Sequence, residues 1–169
     1  MWILKLILLA LVFGTSSLIG IKLSNSYVIR ANNLKQFKKA LRMMEAKITY
    51  TYDMLPDLFG YISSRLSGDV GEVFRRAAEY MSVEFAGDAW EKCIDEANIF
   101  LKEDDKEALK SLGKLLGKTD VEGQLNQLRL VNEFLDEQIV EANQARAKNV
   151  SMYRKLGVIA GFALVVVLI

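Results

Sequence analysis

The chain has 169 residues, of which 51% are hydrophobic and 25% are charged, and its formal net charge is +1. A charge this close to zero excludes the general electrostatic attraction that draws strongly basic proteins onto nucleic acid. One cysteine and no histidine are present. This excludes an intrachain disulfide, a cysteine–histidine catalytic pair and a zinc site of the usual ligands.

The first element is an apolar segment, residues 2–23, that predicts a transmembrane helix. No charged residue lies between Leu6 and Ile21, and this uncharged stretch corresponds to about 24 Å of α-helix. The flanking residues, including Lys5 with its long side chain, extend it to about the thickness of a bilayer. A cleaved secretory signal peptide is the alternative, but no clear small-residue cleavage site follows the apolar run.

The next elements are two helices separated by a proline. Apolar residues recur at steps of three and four between Leu34 and Leu55, which predicts an amphipathic helix. Pro56 is expected to stop it and to begin the second helix, since proline fits a first turn but not a helix interior. That helix is expected to end at Gly68. Core packing is the default expectation for the aromatic residues around this junction: Tyr50, Tyr52, Phe59 and Tyr61.

Capping-box spacing then marks four further helix starts, each with a cap residue three positions before a glutamate. The pairs are Asp69 and Glu72, Asp88 and Glu91, Asp104 and Glu107, and Thr119 and Glu122. They predict helices over residues 69–85, 88–102 and 105–116, and a last helix from about residue 120. No breaker follows up to residue 169, although a bend or fraying is expected near residues 148–153. The predicted fold is all-α, with a six-helix bundle in residues 24–152 and no strands.

The last element is a second apolar segment, and residues 153–169 are predicted to form another transmembrane helix. From Leu156 to the end there is no charge, and this stretch gives about 21 Å of helix. Arg154 and Lys155 can reach the membrane interface with their long side chains. A buried core helix is the alternative, which a run so rich in valine and leucine disfavours.

Small residues within the two apolar segments are spaced for close helix packing. Gly157 and Gly161 form a G-x-x-x-G pair, and Ser16 and Gly20 form a similar pair in the first segment. Such pairs let helix backbones approach closely. They predict contact either between the two spans or between two copies of the chain, so a homo-oligomer is possible.

The basic residues predict the orientation of the chain in a membrane. They lie on the inner flanks of the two spans, at Lys22, Arg30, Lys35, Lys38, Lys39 and Arg42, and at Arg146, Lys148, Arg154 and Lys155. The positive-inside rule therefore places residues 24–152 in the cytoplasm. The run from Lys35 to Arg42 is also expected to contact anionic lipid or, alternatively, an acidic partner. Four acids on the last helix are expected to be solvated or to dock a partner: Glu133, Asp136, Glu137 and Glu141.

No sequence feature predicts an enzyme, a cofactor or a metal site. Neither of the common glycine-rich nucleotide-binding motifs is present. The acids from Glu103 to Asp105 are expected to form a solvated turn and helix cap, with metal binding as a remote alternative. Cys93 is expected to be a small buried hydrophobic residue. The predicted sets of catalytic, cofactor-binding and metal-binding residues are therefore empty, and no nucleic acid is expected as a partner.

Three segments, spread along most of the chain, resemble the stage III sporulation protein AB family of endospore-forming Firmicutes. The first is Leu41-x-x-Met44-Glu45-x-x-Ile48-x-Tyr50, followed by Leu55-Pro56. The second, and most specific, is Leu115-Leu116-Gly117-Lys118-Thr119-Asp120-x-x-x-Gln124. The third is Tyr153-Arg154-Lys155-Leu156-Gly157-x-x-x-Gly161.

The resemblance implies a platform-like role in the secretion-like channel between mother cell and forespore. That family is similar to inner-membrane platform proteins of type II secretion and type IV pili, whose cytoplasmic domains have six helices. Expected partners are membrane lipid, the channel's ATPase (of the stage III sporulation protein AA type) and other channel subunits, in the mother-cell-side membrane around the forespore. The alternative is a generic two-span adaptor or a subunit of another secretion or pilus-type machine.

The resemblance also singles out six positions in the motifs, for which the residue types suggest structural roles. Pro56 and Gly117 are expected to separate helices, and Thr119 or Asp120 to cap the last helix. The remaining three are candidates for hydrogen bonds between helices: Glu45, Tyr50 and Gln124.

Overall fold

The structure, a computed structural model, describes residues 2–51 and 53–168, with side chains omitted at 2–10, 12, 13, 16, 17, 23, 154, 161 and 164–168. Within these residues the fold is all-α, as predicted, with six α-helices and no strands. The helices are α1 (Trp2–Tyr50), α2 (Leu55–Arg65), α3 (Gly68–Tyr80), α4 (Ala86–Glu96), α5 (Glu103–Ser111) and α6 (Val121–Leu168), with a 3-10 helix at Leu112–Lys114.

The two long helices at the ends of the chain are continuous. α6 has no break, as the sequence predicted. α1 joins the first apolar segment to the amphipathic helix that follows it, although the prediction treated the two as separate elements. No proline lies in this stretch, so its amide groups are free to continue the helical hydrogen bonds.

The chain divides into two compact units, which are described separately below. One, the terminal unit, contains the residues up to 31 and from 141 onwards, and the other, the central unit, contains residues 32–140.

An aromatic cluster lies at the centre of the core of the central unit. Phe37, Phe59, Phe74 and Trp90 are fully buried. The ring centroid of Phe74 lies 5.2 Å from those of both Phe59 and Trp90, in tilted arrangements that aromatic quadrupoles favour. The indole Nε1 of Trp90 donates a hydrogen bond of 2.6 Å to the carbonyl of Leu109, so its buried polar group is satisfied. This cluster joins α1 to α2, α3 and α4.

The segments of α1 and α6 in the central unit pack antiparallel. Lys38 of α1 forms an ion pair with Asp136 of α6. Seven residues further along α1, Glu45 lies 3.5 Å from Arg129, which is seven residues earlier in α6. Both pairs are partly exposed, so they contribute little to the stability of the packed helices. Their main effect is to fix the register of α1 against α6.

All four predicted capping boxes are wrong in position, and α6 is capped by Asp120 instead of Thr119. α3, α4 and α5 begin one or two residues before the predicted caps, so Asp69, Asp88 and Asp104 lie inside the first turns. There a carboxylate interacts favourably with the positive end of the helix dipole without capping it. In α5 the buried Asp105 instead accepts a 2.8 Å hydrogen bond from the amide of Lys102.

Helices α3 and α4 are also shorter than predicted, and α2 ends before Gly68. Gly68 has a φ of +70° and is the first residue of α3. Residues 97–102 are not helical. Ile99 is buried, and Asn33 donates a 3.3 Å hydrogen bond to the carbonyl of Phe100. Tertiary contacts therefore hold this segment in a non-helical conformation where the apolar pattern alone predicted helix.

In the terminal unit α1 and α6 approach closely at Gly20 and Gly157. A Cβ added to Gly20 would lie 2.7 Å from the carbonyl oxygen of Tyr153 and 3.0 Å from the Cα of Gly157. The rings of Tyr27 and Tyr153 stack with centroids 5.9 Å apart. Small residues thus let the two helices meet, although Ser16 and Gly161 of the predicted pairs lie outside the fully described residues.

Among the residues that the structure describes, no helix combines the length and the apolarity that a membrane crossing requires. Many residues on which the two span predictions depend, including residues 2–10 and 164–169, lie outside the fully described residues. The predicted spans at 2–23 and 153–169 and the boundaries of the domain between them stay predictions.

Candidate functional site

Residues from two distant motifs meet at one groove in the central unit. This groove, called the motif groove here, has a volume of about 170 Å³ and is lined by Ile48, Asp53, Leu55, Gly117, Val121 and Gln124. Gly117 and Gln124 are motif residues, and Pro56 and Asp120 are the chain neighbours of Leu55 and Val121. The groove therefore lies where the α1–α2 connection meets the segment that leads into α6.

The wall formed by the α1–α2 connection is positioned by a proline. α1 ends at Tyr50, and Pro56 lies in the first turn of α2, where its missing amide hydrogen is not needed. The short connection carries Asp53 and Leu55 into the groove. Sequence reasoning identified Leu55 and Pro56 but not Asp53.

The opposite wall depends on a glycine in a left-handed conformation. Gly117 has a φ of +71°, which a residue with a Cβ adopts only at a cost. A Cβ at this position would also lie 3.4 Å from the Cδ1 of Leu55 across the groove. Gly117 thus turns the chain between the 3-10 helix and α6 and leaves space beside Leu55.

The start of α6 is held by local hydrogen bonds. Asp120 Oδ1 accepts a 2.9 Å hydrogen bond from the amide of Gly123, as an N-cap residue does. The side-chain amide of Gln124 donates a 3.0 Å hydrogen bond to the carbonyl of Thr119. Gln124 was expected to bond between helices, but its observed partner belongs to the loop that precedes its own helix.

The groove carries one charged pair at its α1 side. Lys47 Nζ lies 2.8 Å from Asp53 Oδ2. Hydrogen bonds from Lys47 and from Thr51 lower the pKa of Asp53 below its ordinary value, so this carboxylate stays charged at neutral pH. Lys47 Nζ also lies 4.7 Å from the ring centroid of Tyr61, in a cation–π contact.

Two large exposed side chains belong to residues that are close in sequence to those lining the groove. Tyr50 is 81% exposed and Met54 is 75% exposed. Core packing was expected for Tyr50 and Tyr61, and it is wrong for both, because both side chains are exposed. Tyr50 was also a candidate for a hydrogen bond between helices, and the described residues show no such bond. Phe59 is buried as expected, and Tyr52 lies outside the described residues. The exposure follows from position, because Tyr50 is the last residue of α1.

Glu45, the remaining one of the six motif positions, does contact another helix. Its carboxylate lies 3.5 Å from Arg129 Nε, a distance at the limit of a hydrogen bond. Arg129 is more than half exposed at its side chain. The contact is therefore a surface ion pair between α1 and α6, not a buried interhelical bond.

The residues predicted to flank and pack the spans lie in the terminal unit. Lys22 and Lys155 are exposed, and Gly157 is buried against Gly20. The side chain of Arg154, like the surroundings of Gly161, lies outside the fully described residues.

The chemistry available at the motif groove is that of binding. Its walls are mostly aliphatic and glycine, with one paired carboxylate and one amide. Across the described part of the chain, no three acidic or cysteine side chains are grouped as a metal site would require. Cys93 is buried, and burial raises the pKa of its thiol to about 11. A shallow aliphatic groove with large exposed neighbours suits the side chain of a partner protein.

Comparisons with known proteins agree on one family. Residues 5–169 match the family described as stage III sporulation protein AB. Stage III sporulation protein AB of Bacillus subtilis (strain 168) is 29% identical over 153 residues, which cover 88% of this chain and 90% of that protein. A solved structure of stage III sporulation protein AB (SpoIIIAB) matches with a TM-score of 0.66 and 26% identity, over 71% of this chain and 98% of that chain.

Proposed function

The chain belongs to the stage III sporulation protein AB family, as its motifs predicted, and on this premise we propose that it is a membrane-anchored platform of a secretion-like channel. In this role it connects the membrane to the channel's cytoplasmic ATPase and to other channel subunits during sporulation. It acts by holding proteins in place and not by catalysis. The alternative, a generic two-span adaptor or a subunit of another secretion or pilus-type machine, uses the same surfaces.

The membrane part of the proposal rests on the sequence. The two apolar ends, residues 2–23 and 153–169, are proposed to cross the mother-cell-side membrane around the forespore. Lys22, Arg154 and Lys155 flank them and favour a cytoplasmic location for the region between. The close approach of α1 and α6 at Gly20 and Gly157 is compatible with two helices packed in lipid.

The docking part of the proposal rests on one observation. Motif residues from two segments more than fifty positions apart line or adjoin a single groove. Local needs explain Pro56, Gly117 and Asp120, but they do not explain why the exposed positions near them in sequence carry a tyrosine and a methionine, Tyr50 and Met54. Aromatic and methionine side chains are enriched in the central parts of protein interfaces. We therefore propose that the ATPase docks at the motif groove.

The test uses full-length variants in sporulating cells and a pull-down of the cognate ATPase from detergent extracts. Tyr50→Ala and Met54→Ala are expected to lower ATPase recovery and spore yield about tenfold, which corresponds to about 1.4 kcal/mol of binding free energy. Their protein levels are expected to match wild type, because both side chains are exposed.

The matched control is Val83→Ala, an exposed apolar residue in the turn after α3 that is 82% exposed. It is expected to leave recovery and spore yield unchanged. Unchanged ATPase recovery with both groove variants would contradict docking at this site. Loss of spore yield together with wild-type ATPase recovery would instead indicate that the groove binds another channel subunit.

A further inference from the structure

A second groove, lined by basic residues, lies between α1 and α6 in the central unit. This basic groove has a volume of about 360 Å³. Its apolar floor is formed by Met43, Ala46 and Ile139, and its cations are Lys35, Lys38, Lys39 and Arg42. The cations come from one face of α1, and Ile139 comes from α6.

Two of these four cations have no ion-pair partner among the residues that the structure describes. Lys38 pairs with Asp136, and Lys39 Nζ donates a 3.4 Å hydrogen bond to the carbonyl of Arg65. Lys35 and Arg42 are exposed, and neither forms an ion pair with any residue that the structure describes. They are seven residues apart, which is about 10 Å along a helix. The basic groove is thus suited to an acidic surface with apolar side chains.

The central unit carries such a surface on α6. This acidic face consists of Leu130, Glu133, Glu137 and Val140, whose steps of three and four residues place them on one side of the helix. Leu130 is 62% exposed and Val140 is 57% exposed. Glu133 and Glu137 are exposed, and no ion pair with another described residue involves them. The two carboxylates therefore lie between two exposed apolar side chains, so this side of α6 combines negative charge with apolar surface.

We infer that the acidic face of one copy binds in the basic groove of a second copy of this chain. Each surface has the charge that the other lacks, and both combine that charge with apolar side chains. Pairing of two acidic faces, or of two basic grooves, would oppose like charges and is disfavoured. The contact is therefore heterologous, head to tail, and repeats around a ring of copies if its rotation closes.

The proposed function places all copies in one membrane with the same orientation. This step rests on that proposal, because the orientation decides which charges meet. Copies in one membrane are related by an axis along the membrane normal, so α6 of one copy runs antiparallel to α1 of the next. The pairing within one chain has the same sense, with Lys38 at Asp136 and Glu45 beside Arg129. Between copies, Lys35 is then nearest to Glu137 and Arg42 is nearest to Glu133.

The experiment reverses both sets of charges in the full-length chain in non-ionic detergent. Wild type is expected to sediment as an oligomer at low salt and to dissociate as salt screens the ion pairs. Lys35→Glu with Arg42→Glu, and separately Glu133→Lys with Glu137→Lys, are expected to weaken the association at least about tenfold, because like charges then oppose each other. An equimolar mixture of the two variants is expected to restore oligomers that contain both chains in equal numbers.

The matched control is Lys114→Glu with Lys118→Glu, which changes the net charge by the same amount at two exposed lysines outside both surfaces. It is expected to associate as wild type does. Circular dichroism of each variant checks that it is folded. A wild-type chain that stays monomeric at low salt, or a mixture that fails to restore association, overturns the inference.

Two further readouts separate this inference from its competitors. If the Lys35/Arg42 variant associates like wild type but loses binding to vesicles with anionic phosphatidylglycerol, the basic groove binds lipid and the inference is overturned. The ATPase pull-down is measured on the same variants. If a monomeric variant still recovers the ATPase as wild type does, the contact between copies is a separate property from ATPase docking. If the motif-groove variants fail to lower ATPase recovery, the result of the charge-swap experiment still stands.

Discussion

The backbone conformation of Gly117 predicts a measurable loss of stability on substitution. Its φ of +71° lies in the left-handed region. Gly117→Ala is therefore expected to lower the free energy of unfolding by about 1–2 kcal/mol. Urea unfolding of the full chain in detergent, followed by circular dichroism, measures the change.

Gly60 provides the matched control for Gly117. It lies inside α2, and a Cβ added there has no atom within 4 Å. Gly60→Ala is expected to raise the free energy of unfolding by about 0.5–1 kcal/mol, because alanine favours the helix over the unfolded chain. A Gly117→Ala variant as stable as Gly60→Ala would contradict the conformational argument.

Cys93 predicts a pH-dependent reactivity and a linked loss of stability. Burial raises the pKa of its thiol from 9.0 to about 11. Near pH 8 the folded chain then has about a hundredfold less thiolate than the unfolded chain and reacts correspondingly slowly with a disulfide reagent. The unfolded thiol loses its proton first, so stability is expected to fall as pH rises from about 9 to 11.

The reactivity is measured near pH 8 as the rate at which the disulfide reagent releases its own thiol, with and without guanidinium chloride. Cys93→Ala removes the signal and the cysteine's share of the pH dependence. A native chain that reacts as fast as the unfolded one would show that Cys93 is accessible.

Residue roles were predictable from sequence where they depend on local geometry. Pro56 and Asp120 lie at helix starts, as their residue types suggest. Tyr50 was misplaced, because an apolar pattern cannot show that the helix ends on that residue with its ring exposed. The neighbours that complete the motif groove, such as Asp53, gave no local indication because they matter only once two distant loops meet.

Helix boundaries depend on competition between local and tertiary contacts. The capping spacing predicted that helices begin in these places, but in α3, α4 and α5 the starts are shifted by one or two residues. Gly68 explains one shift, since its positive φ turns the chain before the predicted cap. Burial of Ile99 and the hydrogen bond to Phe100 explain why helix does not extend through residue 102. Such contacts join residues far apart in sequence.

The packing of α1 against α6 in the terminal unit predicts the effect of filling a glycine. Gly20→Leu places side-chain atoms where a Cβ alone would lie 2.7 Å from the carbonyl oxygen of Tyr153. The helices must separate, because backbone atoms cannot move aside as a flexible side chain can. Oxidative cross-linking between cysteines placed at Tyr27 and Tyr153, in a Cys93→Ala background, measures the contact.

Cross-linking is expected to slow about fivefold with Gly20→Leu, which corresponds to about 1 kcal/mol of lost packing. Gly14 provides the control, because a Cβ added there has no atom within 4 Å. Gly14→Leu is expected to cross-link at the rate of the parent chain. Equal slowing by both variants would mean that leucine acts through a general effect on α1 and not through this contact.

At the scale of the whole molecule, the sequence predicted the all-α class and the long unbroken α6, because both follow from the absence of breakers and of strand patterns. The separate domain at residues 24–152 stays a prediction, since α1 and α6 each run through one of its predicted boundaries without a break. The aromatic cluster was not predicted, since four residues from α1, α2, α3 and α4 meet only through tertiary packing. All four rings of this cluster belong to the central unit.

The composition of that core predicts that a fragment of residues 24–152 folds on its own. Phe37, Phe59, Phe74 and Trp90 all lie within it and are fully buried. The fragment is expected to be helical and to unfold cooperatively in urea. The chain has two tryptophans, Trp2 and Trp90, so the fluorescence of the fragment reports only Trp90, and its emission is expected to shift to longer wavelength on unfolding.

Two alanine variants of the fragment distinguish a packed core from non-specific collapse. Phe74→Ala removes the ring that contacts Phe37, Phe59 and Trp90. It is expected to lower the free energy of unfolding by about 3–5 kcal/mol. Phe100→Ala truncates a half-exposed ring and is expected to cost less than about 1 kcal/mol. Equal losses, or a non-cooperative transition in the parent fragment, would mean that the bundle needs the terminal unit to fold.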